Sequence, residues 1–120
     1  MEEYSFEFEK LQVYQKALDY IDFVYEITEN FPQTEKFGLA ANFRRAAQSI
    51  ALNIGEGSGG SKKEFRQFLV ISRRSVRECI VCTTISRRRG FIPETKENES
   101  RRRCIELSKM LSGLMNSLGQ

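Results

Sequence analysis

Apolar positions recur at helical spacing along the whole chain. Between about Lys10 and Asn30, Leu11, Tyr14, Leu18, Ile21, Tyr25 and Thr28 follow one another at 3-4-3-4-3. Val13, Ala17, Tyr20, Val24 and Ile27 form a second seam beside them at 4-3-4-3. Two adjacent seams make an apolar face wider than one partner helix needs, so this helix is expected to meet two neighbours or another subunit. Asn30-Phe31-Pro32 ends it, because a residue before proline is pushed out of helical geometry.

A short turn is expected at Thr34–Gly38, then a second helix over about 39–56, with Phe43, Ala47, Ile50 and Ile54 as its stripe. Ala40, Ala41, Ala46, Ala47 and Ala51 keep its surface thin enough for close helix approach. Gly55, Gly57, Gly59 and Gly60 are read as breaking it. Ser61-Lys62-Lys63-Glu64 is a capping box, in which serine and glutamate satisfy each other's end of the chain. It opens a third helix over about 62–89, with Phe65, Phe68, Leu69, Ser72, Val76, Cys79, Ile80 and Thr83 facing inward and Gly90 just past its end. Pro93 stands where a fourth helix starts, over about 94–118, with Glu94, Glu97 and Glu99 at the positive end of its dipole. Cys104, Leu107, Leu111, Leu114 and Leu118 form its stripe, with Met110 and Met115 beside them. Alternating strand-like runs bounded by two-residue turns are missing from the sequence. Short connections make consecutive helices antiparallel neighbours. The expected fold is all-α, an antiparallel up-down-up-down four-helix bundle.

Length and composition narrow the function. At 120 residues the chain is expected to be one domain, residues 1–120, with one real core. It is too apolar for disorder and too charged for a membrane protein, and no apolar run approaches the ~20 residues of a membrane span. The start, MEEYSFEFEK, is acidic and unlike a signal peptide, so the expected location is the cytoplasm. The chain has no histidine, which removes the commonest general base and metal ligand. Cys79-x-x-Cys82 has the spacing of a redox or zinc half-site. It falls on a helix, however, and the three cysteines, with Cys104, are expected to be core thiols in a reducing compartment. No base, nucleophile and oxyanion donor converge in the sequence, so no enzyme activity, metal or cofactor is expected.

Charge is distributed unevenly. Residues 1–35 carry 9 acids against 2 bases, residues 36–75 carry 8 bases against 2 acids, and residues 76–120 carry 9 bases against 5 acids. Two arginine triplets stand out, Arg87-Arg88-Arg89 closing helix three and Arg101-Arg102-Arg103 within helix four. The hairpin between those helices brings both to one end or flank. Arginine donates two hydrogen bonds from a planar fork and so suits phosphate; exposed arginines near a helix C-terminus also arise simply from the dipole. Arg73 and Arg77 lie on helix three, and Lys62, Lys63 and Arg66 follow the glycine-rich stretch, which lacks P-loop spacing. On helix two, Arg45, Ser49, Asn53 and Glu56 make a polar row. It reads as a structural network in which Arg45 and Glu56 are neutralised and Ser49 and Asn53 bond backbone or neighbouring helices.

Several blocks together resemble a known family. Phe31-Pro32, Phe37-Gly38-Leu39 and Arg44-Arg45-Ala46-Ala47-x-Ser49-Ile50-x-x-Asn53-Ile54-Gly55-Glu56-Gly57-Ser58 are similar to the signature of four-helix-bundle proteins encoded in 23S rRNA intervening sequences. Phe65-x-x-Phe68-Leu69-x-Ile71-Ser72-Arg73 and Leu111-x-Gly113-Leu114-x-x-Ser117-Leu118 continue the likeness. The resemblance implies a homopentamer of small antiparallel bundles. It also implies kinship with accessory proteins of diversity-generating retroelements, basic pentamers that bind nucleic acid and a reverse transcriptase. The expected function is therefore non-enzymatic binding of RNA or other nucleic acid through Arg87, Arg88, Arg89, Arg101, Arg102 and Arg103, with Lys62, Lys63, Arg66, Arg73 and Arg77 behind them. The alternative is an adaptor whose ring binds a partner protein, nucleic acid being incidental.

Overall fold

The computed structural model describes residues 2–119. Four helices carry the fold: α1 (Gln12–Thr28), α2 (Leu39–Gly57), α3 (Lys62–Arg88) and α4 (Glu94–Ser117), with 3-10 turns at Glu2–Tyr4, Glu7–Lys10 and Gln33–Glu35. No strand occurs among the described residues. Each helix packs against the next, and α1 also packs against α4, while the backbones of the diagonal pairs α1–α3 and α2–α4 stay apart. Contacts run in opposite order along neighbours. Thr28 and Tyr25 of α1 meet Arg44 and Gln48 of α2. Ile50 and Ser49 of α2 meet Ser72 and Ser75 of α3. Arg66, Arg73 and Thr83 of α3 meet Met115, Ser112 and Ser100 of α4. The long axis of 42 Å is about the length of α3 at 1.5 Å per residue.

The two seams of α1 divide their work. Val13, Ala17, Tyr20, Val24 and Ile27 are buried, whereas Leu11, Tyr14, Leu18 and Ile21 are half-buried and Tyr25 is exposed. The stripe of α2 is fully buried. That of α3 is more polar than the periodicity suggests: Ser72, Ser75, Thr83 and Ser86 are buried, while Phe65, Phe68 and Ile80 are only half-covered. These hydroxyls donate to a helix carbonyl or to a hydroxyl of a neighbouring helix, so their burial leaves nothing unsatisfied. In α4 the inner stripe continues from Leu111 to Met115 rather than to Leu114 and Leu118, which stay half-exposed.

Helix ends show where glycine acts by size and where by conformation. Gly55 and Gly57 do not break α2; both are helical. A Cβ on Gly55 would lie 3.1 Å from the Phe8 ring, and one on Gly57 would press into Phe68 of α3. These glycines admit neighbours. Gly90, in contrast, has φ +77° and closes α3 in a Schellman arrangement: Phe91 N–H donates to Ser86 O at 2.9 Å and Gly90 N–H to Arg87 O at 3.0 Å. At the other end the Ser61 Oγ accepts from Glu64 N–H at 3.1 Å, and Ser61 N–H donates to Glu64 Oε1 at 2.8 Å. The bond from Ser61 N–H, seconded by the Ser61 hydroxyl, also holds the Glu64 carboxyl below its ordinary pKa.

Candidate nucleic-acid interface

The α3–α4 side of the bundle gathers the arginines. Arg66, Arg73 and Arg87 are heptad-spaced along α3, with Arg77 between, and Arg101 joins them from α4. From Arg66 to Arg87 this row extends about 32 Å. Its members differ in what holds them. Arg66 Nη1 donates to Met115 O at 3.0 Å, a last-turn carbonyl of α4 that Leu118 N–H also reaches. Arg73 Nη1 donates to Ser112 Oγ at 3.0 Å. Both are half-buried and tie the helices together as much as they add charge.

The two triplets meet at one carboxylate. Glu97 pairs with Arg87 Nε at 3.5 Å through Oε1 and with Arg101 Nε at 3.2 Å through Oε2. Arg101 Nη2 also donates to Thr84 Oγ1 at 2.7 Å. Two cations share one anion here, so the cluster keeps a net positive charge. The rest of the second triplet fans out, because successive helix residues are rotated by about 100°. Arg102 points to solvent. Arg103 turns to α1, where its guanidinium lies over the Phe23 ring at 5.2 Å and Nη2 pairs with Glu99 at 2.9 Å. That bond holds the Glu99 carboxyl below its ordinary range. Arg103 is thus separated from the α3–α4 side, contrary to the expectation that both triplets share one flank. Arg88 lies on the outer corner of α3 and Arg89 at its end, while Lys62 and Lys63 stand at the opposite end. Arg77, Arg88, Arg89, Arg102, Lys62 and Lys63 are exposed and have no hydrogen-bond or ion-pair partner among the described residues.

The polar row of α2 edges the α2–α3 seam, half in contact with solvent. Asn53 Nδ2 donates to Ser49 O at 2.7 Å and Ser49 Oγ at 3.0 Å, and Ser75 Oγ donates to Ser49 Oγ at 2.8 Å. Arg45 and Glu56, however, are both exposed; Arg45 bonds Asn42, and Glu56 has no ion-pair partner among the described residues. The row is a network only in its middle, since its charged ends reach water and need no counter-ion.

An interior hydroxyl chain sets how α4 sits. Tyr20 Oη lies 2.9 Å from Ser100 Oγ, which lies 2.7 Å from Thr83 Oγ1. It joins α1, α4 and α3 one residue before Arg101, and so fixes which side of α4 each arginine takes. Cys79, Cys82 and Cys104 are free and buried. Burial raises all three thiols, Cys82 and Cys104 to about 11, so they are held as neutral core groups.

Sequence reading missed Glu97 as the shared counter-ion. Its i,i+4 relation to Arg101 was legible; its link to Arg87 depends on the hairpin.

These features define a small helical bundle whose one long side is lined with arginine. The chain belongs to the 23S rRNA-intervening sequence protein family, whose model matches residues 9–113. It is similar in fold to a crystal structure from Bacteroides thetaiotaomicron of a protein with unknown function from the S23 ribosomal protein family, with TM-score 0.76 and 20% identity, covering 86% of this chain and 97% of that one. No curated protein matches it significantly. No helix among the described residues is long and apolar enough to cross a membrane.

Proposed function

We propose that the protein is a non-catalytic cytoplasmic nucleic-acid-binding protein, built as an antiparallel up-down-up-down bundle and assembled as a homo-oligomer. The α3–α4 side meets the phosphates of RNA. The single observation that carries this reading is the joining of Arg87 and Arg101 at Glu97, with Arg77 further along α3 and exposed, without a partner among the described residues. The reversed order of helix contacts supports the antiparallel topology. The pentamer comes from the family resemblance, and the exposed apolar side chains on α3 and in the α1–α2 groove favour self-association. Phosphate contacts position a protein without reading bases, so binding should be weakly specific and steeply salt-dependent.

The test is fluorescence anisotropy of a labelled structured RNA at several salt concentrations. Micromolar or tighter binding, with log K falling linearly with log salt, is expected. A variant with both triplets changed to glutamine should lose it while keeping its helix content. Undiminished affinity in that variant, or no binding by the native protein at low salt, would overturn the assignment.

A further inference from the structure

The outer corner of α3, which takes no part in the core, carries its own heptad seam. Ile71, Arg74, Glu78, Val81, Ile85 and Arg88 follow one another at 3-4-3-4-3, and all six are exposed, Val81 by 56%. Large apolar side chains recurring on the solvent side of a helix are unusual for a surface with no partner. On a different side of the molecule α1 and α2 enclose a groove of about 540 Å³, lined by Phe8, Tyr14, Leu18, Ile21, Ala51 and Leu52. It is the half-covered seam of α1 that forms one wall, and Leu52, 65% exposed, stands on the other.

We infer that the apolar strip of α3 in one copy of this chain docks in the α1–α2 groove of a second copy, head to tail. The inference rests on the self-association in the function proposed above and names the two surfaces that make it. Three observations select a second copy as occupant. The strip is convex and carries the aliphatic side chains of Ile71, Val81 and Ile85, and the groove is concave and apolar. Ile71 to Ile85 spans about 21 Å and Tyr14 to Tyr25 about 16 Å along their helices, so the lengths are comparable. Their charges are complementary: Arg74 and Arg88 outweigh Glu78 on the strip, whereas the charged residue among those lining the groove is the exposed Glu56. Such matching steers encounter and fixes register. One copy cannot satisfy itself, because α3 lies diagonally across the bundle from α1. The contact joins two different patches, and interfaces of that kind close into rings or run on as filaments. It assigns Arg88 to the subunit contact and leaves Arg77, Arg87 and Arg101 to the α3–α4 side.

A heterologous contact makes a prediction that a self-complementary one does not. Val81→Glu spoils only the strip and Leu52→Glu only the groove. Each variant alone should run as a monomer by light scattering coupled to size exclusion, with native helix content. Mixed in equal amounts, they retain one good strip and one good groove between them and should form a dimer containing one copy of each. Val81→Ser and Leu52→Ser, which weaken the same contacts, serve if glutamate disturbs folding. A native protein that oligomerises while both variants keep its mass overturns this pairing of surfaces but not self-association. Variants that become monomeric yet stay so when mixed overturn the head-to-tail geometry. A native protein that is monomeric overturns the self-association in the proposed function as well.

Discussion

Arg87 and Arg101 hold opposite oxygens of the same carboxylate, that of Glu97, at 3.5 and 3.2 Å. Through it the end of α3 and the start of α4 are joined, one arginine of each triplet taking part. The carboxylate offsets half of the local positive charge and keeps two guanidinium groups from spreading apart.

Glu97→Gln should release both arginines to an anionic ligand. Affinity for RNA is expected to rise several-fold at low salt, and the slope of log K against log salt to steepen by up to about 0.9, as the positive charge that Glu97 offsets becomes free to engage one more phosphate. Stability should change little, by about 0–1 kcal/mol, as for other partly exposed pairs. Anisotropy titrations at three or more salt concentrations measure it. An unchanged slope would place the RNA elsewhere.

The opposite orientations of Arg101 and Arg103 give a comparison within one triplet. Arg101→Gln should weaken RNA binding several-fold and make the salt slope shallower by about 0.9. Arg103→Gln, which affects the Phe23 and Glu99 contacts on the α1 side, should leave RNA affinity nearly unchanged and lower the urea midpoint modestly. Equal losses of affinity would mean that the triplet acts through net charge alone.

Gly57→Ala places a methyl against Phe68, within 3.0 Å of its Cγ and closer still to its Cβ. Alanine is the better helix former by about 1 kcal/mol, yet overpacking of this kind costs about 1–3 kcal/mol. Denaturant unfolding should show net destabilisation. A gain in stability would mean that α2 and α3 separate easily at their turn.

The thiols set an alkaline limit. Cys104 ionises near 9.0 in an unfolded chain and at about 11 in the folded one, so above pH 9 the unfolded state binds fewer protons than the native state. Stability is then fully present below pH 9 and falls as pH rises through the folded value. Cys104 alone accounts for a loss on the order of 1 kcal/mol between pH 8 and pH 10. Urea unfolding at those two pH values should show the drop, and Cys104→Ala should reduce it.

Much of the local structure was written in the chain. The capping box at Ser61 and Glu64, the glycine after α3 and Pro93 before α4 act over three or four residues, so type and spacing suffice to read them. The 3.6-residue period likewise separated the buried stripe of α2 from its polar face. Gly55 and Gly57 were misread as breakers because sequence registers a glycine's freedom and not the aromatic ring that needs its room. Arg45 and Glu56 were expected to be neutralised because they share a helix face, but neighbours on a face are not always enclosed by another helix.

What the tertiary structure alone decided is which charges meet. Six arginines in two triplets were visible from the start. That Arg87 and Arg101 converge on Glu97 while Arg103 leaves for Phe23 follows from how far α4 is turned about its axis. That rotation is set by buried contacts such as Tyr20 with Ser100 and Ser100 with Thr83, across helices far apart in the chain. The exposed seam of α3 has the same origin. Periodicity shows that Ile71, Val81 and Ile85 share a side, and only the packing of α2 and α4 against the other sides leaves that one uncovered.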